Sequence, residues 1–142
     1  MTIFLRFWVP VCAYASLIFY LSSQPHPEED LPSFVLSLSD KVLHVAEYAV
    51  LGALCYRAFR WGVTETWRPW AIPSAILLAS IYGLSDEVHQ AFVPFRDSSW
   101  QDWLADVVGS SIGALGLARM FSFTTSEGRM ESRLSQGKVD GL

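Results

Sequence analysis

Charge is scarce in this sequence. Only 17% of its 142 residues are Asp, Glu, Lys or Arg, where a soluble domain carries about 25%. With 51% hydrophobic residues it is too apolar for an ordinary water-soluble domain. Cysteine is scarcer still: Cys12 and Cys55 both lie inside apolar stretches, where burial explains them and a disulfide is not expected. No segment repeats, which speaks against the inverted repeats of alternating-access carriers. A net charge of −4 offers no basic surface to a phosphate backbone, so no nucleic-acid partner is expected.

What the chain does have is four apolar windows, Ile3 to Ser22, Lys41 to Arg60, Trp70 to Phe92 and Trp100 to Phe121. Each is long enough to cross a hydrocarbon core of about 30 Å, which takes about 20 helical residues. The first is not a signal peptide: it is too long, and its Ala13-Tyr14-Ala15 triplet sits mid-run. The sequence therefore predicts an all-α integral membrane protein, a bundle of four antiparallel transmembrane helices over residues 1–121. The polar tail 122–142, without an apolar period, reads as disordered.

Orientation follows from the bias of basic residues toward the cytoplasm. With a cytoplasmic N-terminus, all Lys and Arg except Lys41 and Arg96 fall inside. Glu28, Glu29, Asp30, Asp40, Glu47, Asp86, Glu87, Asp97, Asp102 and Asp106 fall outside, leaving Glu65, Glu127, Glu131 and Asp140 within. Both termini are then cytoplasmic. Ser23 to Ser39 becomes an acidic outer loop, Gly62 to Pro69 an inner loop and Val93 to Ser99 a tight outer turn.

Three windows carry knots of ionisable residues at this outer end. A charge near the middle of a membrane helix costs about 2.5 to 3.5 kcal/mol, so such knots are expected to serve a purpose. Asp40, His44 and Glu47 stand at i, i+4 and i+7, on one stripe of their helix; Asp86, His89 and Gln90 share a face of the next. Asp102 and Asp106 continue into Gly109 and Gly113, a small-xxx-small seam that lets a neighbouring helix approach closely. Glu47, Asp86 and Asp106 each lie about 9 Å below the outer helix end at 1.5 Å per residue, a common depth that predicts a shared pocket.

These residues resemble a known family. Leu17 to Gln24 with Pro25, Asp40-Lys-Val-Leu-His44 with Tyr48 and Leu51-Gly52, and Gly83-Leu-Ser-Asp86-Glu87-Val-His89-Gln90-Ala-Phe-Val-Pro94 are similar to VanZ-like membrane proteins. The resemblance continues through Arg96, Asp102 and the glycine seam, covering about residues 15 to 116. It departs at Asp106, where the family usually has Asn. The resemblance implies a bacterial cytoplasmic (inner) membrane protein, associated with the cell envelope, in a family named for low-level resistance to the glycopeptide teicoplanin. It implies no particular reaction.

The residues themselves support several chemistries. His44-x-x-Glu47 and Asp86-x-x-His89 place an imidazole and a carboxylate one turn apart on each of two helices, as carboxylate-rich metal bundles do. A divalent metal held by His44, Glu47, Asp86 and His89, with Asp102 and Asp106 in support, would let so acidic a site accept a lipid phosphate. Without a metal, Asp86 or Glu87 can pair with His44 or His89 as proton donor and acceptor. Lys41 and Arg96 then anchor an anionic headgroup, and Asp40, Gln90, Asp102 and Asp106 line the substrate. No nucleophile stands out: Ser22, Ser23 and Ser85 read as ordinary polar residues near helix ends.

Two readings need no chemistry. The pocket can recognise a cation or amine, with transport requiring a homo-oligomer, or the ionisable residues can form a polar network that fixes the bundle. Asp40 also suits a helix N-cap and Asp102 a first-turn acid, while Trp8, Trp70, Trp100 and Trp103 suit interfacial belts. Too many acids for the available bases favours a working pocket. The expected partners are membrane lipids and a lipid-linked cell-wall precursor, with His44, Asp86, Glu87 and His89 as the centre.

Overall fold

A computed structural model describes residues 2–25, 40–96 and 98–139, the side chains of Asp40 and of 123–139 excepted. Among these residues all regular structure is helical: α1 (Ile3–Ser22), α2 (Asp40–Trp61), α3 (Ala71–Gln90) and α4 (Trp100–Val139). A 3-10 turn, Glu65–Trp70, occupies the expected inner loop and leads into α3. Pro69 closes this turn and Pro73 sits in the first turn of α3, where a missing N–H costs nothing. Four segments, Ile3–Ser22, Lys41–Trp61, Glu65–Gln90 and Trp100–Ser122, are long and apolar enough to cross a membrane.

The last helix departs from the sequence reading. The polar stretch from Ser122, expected to be disordered, continues α4 as far as Val139. Glu127, Arg129, Met130, Glu131, Arg133 and Leu134 are strong helix formers and no proline interrupts them. Backbone preference therefore extends the helix where no apolar period exists to signal it. Most of the acidic loop expected on the outer side, with His26, Glu28, Glu29 and Asp30, lies outside the described residues, as does Asp97.

The most extensive contact is between α2 and α4, which are not consecutive in the chain. Glycines make it possible. A Cβ built on Gly113 would run into the backbone of Ala49, one on Gly109 into that of Val45, and one on Gly52 into that of Ser110. The seam predicted at Gly109 and Gly113 is thus a packed face where backbone meets backbone. Because 45 pairs with 109 and 49 with 113, the two helices run in the same direction.

A second small-residue stripe lies on α3. Ala71, Ala75, Ala79 and Gly83 are all buried and recur every four residues, then give way on the same side to Asp86, Glu87 and Gln90. The stripe brings α3 against the α2/α4 pair, and Trp103 Nε1 donates to the Ser80 carbonyl at 3.0 Å across that contact. Trp103→Phe is expected to cost about 1 kcal/mol, the net worth of one hydrogen bond, read as a small fall in unfolding midpoint in detergent. α1 packs on α2 through Trp8 against Phe59, ring centroids 5.2 Å apart. It leaves Phe4, Val9, Leu17 and Phe19 exposed, an apolar outer face that suits lipid.

Candidate functional site

The polar residues gather at one end, where α1 and α3 finish and α2 and α4 begin. Their placement follows from helix register. On α2, Lys41, His44 and Tyr48 share a stripe; on α4, Asp102 and Asp106 share the stripe that becomes the glycine seam. The tight seam therefore draws the acids of α4 onto the basic side chains of α2. Asp106 Oδ1 lies 2.8 Å from His44 Nδ1, and Lys41 Nζ donates to Asp102 Oδ1 at 3.0 Å. These pairs differ in kind. Asp106 is 0% exposed and His44 7%, whereas the Lys41 side chain is 54% exposed, so water screens the second pair and not the first.

α3 delivers its carboxylates to two different neighbours, because consecutive residues on a helix point about 100° apart. Glu87 turns toward α4 and α2. Its Oε2 accepts from the Ser99 N–H at 2.8 Å. Ser99 comes from the turn after α3, where Phe95 takes φ 64°, a left-handed conformation that a bulky residue rarely adopts. Asp86 turns toward α1, accepting at Oδ2 from Ser22 Oγ at 2.7 Å and Gln90 Nε2 at 3.0 Å. Asp102 is held further by Ser99 Oγ at 2.7 Å.

His44, Glu87 and Asp106 each offer a ligand atom, and these atoms lie within 4.8 Å of one another. All three residues are buried, and they come from three helices. Several polar atoms here have no hydrogen-bonding partner among the described residues: Glu87 Oε1, Asp106 Oδ2, Asp86 Oδ1 and the Tyr48 hydroxyl. Tyr48 is 0% exposed. Its ring and Asp106 share a notch left by Gly83, where an added Cβ would lie 2.7 Å from Asp106 Oδ2 and 3.1 Å from Tyr48 Cε1.

The family model for VanZ/LLP1 matches residues 7–122. The chain belongs to the VanZ/LLP1 family. The match takes in nearly all of the four apolar segments and ends where the polar part of α4 begins. No curated protein and no solved structure matches the chain.

Within this VanZ/LLP1 chain the candidate residues divide. His44, Glu87, Asp102 and Asp106 come together with Lys41, and Asp86 and Gln90 form an adjoining cluster. Glu47 is half-buried, within electrostatic range of His44, Asp86, Asp106 and Arg96. His89 is directed elsewhere: its Nε2 lies 3.0 Å from Ser23 Oγ and its ring stacks on Phe19. The metal set expected from sequence, His44, Glu47, Asp86 and His89, is therefore not the set whose ligand atoms converge. The i, i+3 spacing puts Asp86 and His89 on the α1 side of α3, and Glu87 is the residue that faces His44. The side chain of Asp40 lies outside the described residues.

Sequence reasoning passed over four participants. Ser22 and Ser23, read as ordinary helix-end residues, bind Asp86 and meet His89. Ser99 holds both Glu87 and Asp102. Tyr48 was detectable: it follows His44 by four residues, on the stripe already singled out. Ser85 is ordinary, donating to the Tyr82 carbonyl.

Proposed function

We propose that this VanZ/LLP1 protein is a multi-pass protein of the bacterial cytoplasmic membrane, an antiparallel four-helix bundle with both termini in the cytoplasm. Its polar end opens outward and there binds, and exchanges protons with, a polar group of a lipid-linked or cell-wall component. One observation carries this reading: three buried ionisable side chains from three helices converge, and two of their carboxylate oxygens have no hydrogen-bonding partner among the described residues. A purely structural network would satisfy its acceptors, since an unmatched buried polar group costs about 1 to 3 kcal/mol. Lys41, whose side chain is 54% exposed, and Arg96 are the cations available to anchor an anionic headgroup. Family membership supports an envelope role of the glycopeptide-resistance type.

The segregation of basic and acidic residues supports the orientation. Phe92→Cys, at an exposed position of the outer turn, is expected to react with an impermeant maleimide in intact cells in a Cys12→Ser, Cys55→Ala background. Labelling only after lysis would reverse the topology. For function, expression in a teicoplanin-sensitive bacterium is expected to raise the inhibitory concentration, and Glu87→Gln is expected to abolish that rise at equal membrane levels. Full protection by Glu87→Gln, or none by the wild type, would remove the envelope reading.

A further inference from the structure

We propose that His44, Glu87 and Asp106 form a binding site for a divalent first-row cation, Zn2+ or Mn2+, with at least one coordination position left open. The inference rests on the reading of this end of the bundle as a working site and names the ion that works there.

The donor set is the first argument. One imidazole and two carboxylates give nitrogen and oxygen donors that suit Zn2+ or Mn2+. Ca2+ prefers six to eight oxygens, more than this centre presents. Ligands at about 2.0 to 2.2 Å from a zinc ion lie closer together than the 4.8 Å that bounds these atoms. Around a tetrahedral ion such ligands stand about 3.3 to 3.6 Å apart, so the atoms must close by up to about 1.5 Å, a movement that rotation of the Glu87 and Asp106 side chains can supply.

The second argument is the state of the individual oxygens. Glu87 is already oriented through Oε2 by the Ser99 N–H, and Asp106 Oδ1 stands 2.8 Å from His44 Nδ1, a contact that an ion held between the two would replace. The other oxygen of each, Glu87 Oε1 and Asp106 Oδ2, is buried without a partner. Ligating carboxylates are held in this way, one contact fixing the group and the other atom presented to the ion. The Tyr48 hydroxyl, also buried and unpartnered, belongs to a ring that meets the Asp106 carboxylate at the Gly83 notch. It is placed to donate to that carboxylate or to an oxygen bound beside it.

Charge is the third. Two carboxylates with a neutral imidazole balance a divalent ion. Asp86 and Glu47 add further carboxyl groups nearby, and a phosphate-bearing headgroup is better accepted where a cation stands among them. Three protein ligands and an open position are the pattern of catalytic rather than structural zinc sites.

The test uses the full chain purified in detergent without chelator. Isothermal titration with ZnCl2 and with MnCl2 should show one equivalent of one of these ions bound by the wild type, removable by a chelator, with a rise in unfolding midpoint. CaCl2 should produce neither effect. Glu87→Gln and Asp106→Asn should each weaken binding at least tenfold while keeping the wild-type helical signal. Should either variant fail to fold, X-ray absorption of the loaded wild type decides: one imidazole nitrogen with oxygens supports the site, and any sulfur from Cys12 or Cys55 overturns it. Absence of stoichiometric Zn2+ and Mn2+ in folded wild type also overturns it. The teicoplanin assay separates the two ideas. Protection without a bound ion sinks the cation site alone, and a bound ion without protection sinks the envelope reading alone.

Discussion

Gly113→Leu is expected to prevent accumulation of folded protein, whereas Gly116→Leu, three residues further along the same helix, is expected to fold normally. Both changes replace a glycine in the middle of α4 by a good helix former, a gain of about 1 kcal/mol in intrinsic propensity. Their surroundings decide the outcome. At Gly113 a Cβ would fall on the backbone of Ala49, with the carbonyl carbon 2.7 Å away, while at Gly116 nothing lies within 4 Å. Overpacking a core costs about 1 to 3 kcal/mol when side chains can shift. Here the obstacle is main chain, so α2 and α4 must separate along their whole contact and the cost should reach or exceed the top of that range. Unfolding midpoints of the two variants in detergent, with yield from solubilised membranes, check this. Similar midpoints for the two would mean that the α2/α4 seam does not hold the fold.

His44→Leu is expected to be the most damaging single change in the polar end. It leaves the Asp106 carboxylate, which has no exposure to solvent, without the ring that lies 2.8 Å away. Removing one member of a buried charged or hydrogen-bonded pair costs about 3 to 5 kcal/mol in soluble proteins. Direct couplings inside membranes average about 0.6 and reach about 1.7 kcal/mol. The two figures separate the effects. The larger is the burden of a stranded carboxylate, and the smaller is the worth of the contact. Accordingly, the double variant His44→Leu, Asp106→Leu should recover much of the stability lost by His44→Leu. A double variant less stable than either single one would show that the pair does not act as a unit. By contrast Lys41→Met should cost less, because Asp102 keeps its bond from Ser99 Oγ and the Lys41 side chain is 54% exposed, so that water can take its place.

The helices were legible because their signal is length and apolarity, and each predicted window agrees with its span to within a few residues. The seam at Gly109 and Gly113 was legible for the same kind of reason, since small residues four apart can serve only close approach. The partners of individual side chains were not. Glu87 and Asp86 are adjacent in sequence and similar in chemistry, yet one faces His44 and the other Ser22. That choice depends on the rotation of α3 about its axis, which is set by the Ala71, Ala75, Ala79 and Gly83 stripe. The stripe was present in the sequence, but small residues carry little weight in a reading built on hydropathy. His89 misled for a related reason: a histidine beside two acids attracts attention, although its ring lies against Phe19 and Ser23.

The closest helix pair in this protein, α2 with α4, joins the second and the last apolar segments to leave the ribosome. During synthesis α2 enters the bilayer with Gly52 unmatched and His44 without its carboxylate, and it stays so until α4 has been inserted. The polar end is therefore completed only when all four apolar segments are present. A chain that stops after α3 has Asp86 and Glu87 in place but neither Asp106 nor a surface for α2 to grip. Such a product keeps the Ser22 and Gln90 contacts of Asp86 but offers His44 no carboxylate from α4, so its polar end is incomplete.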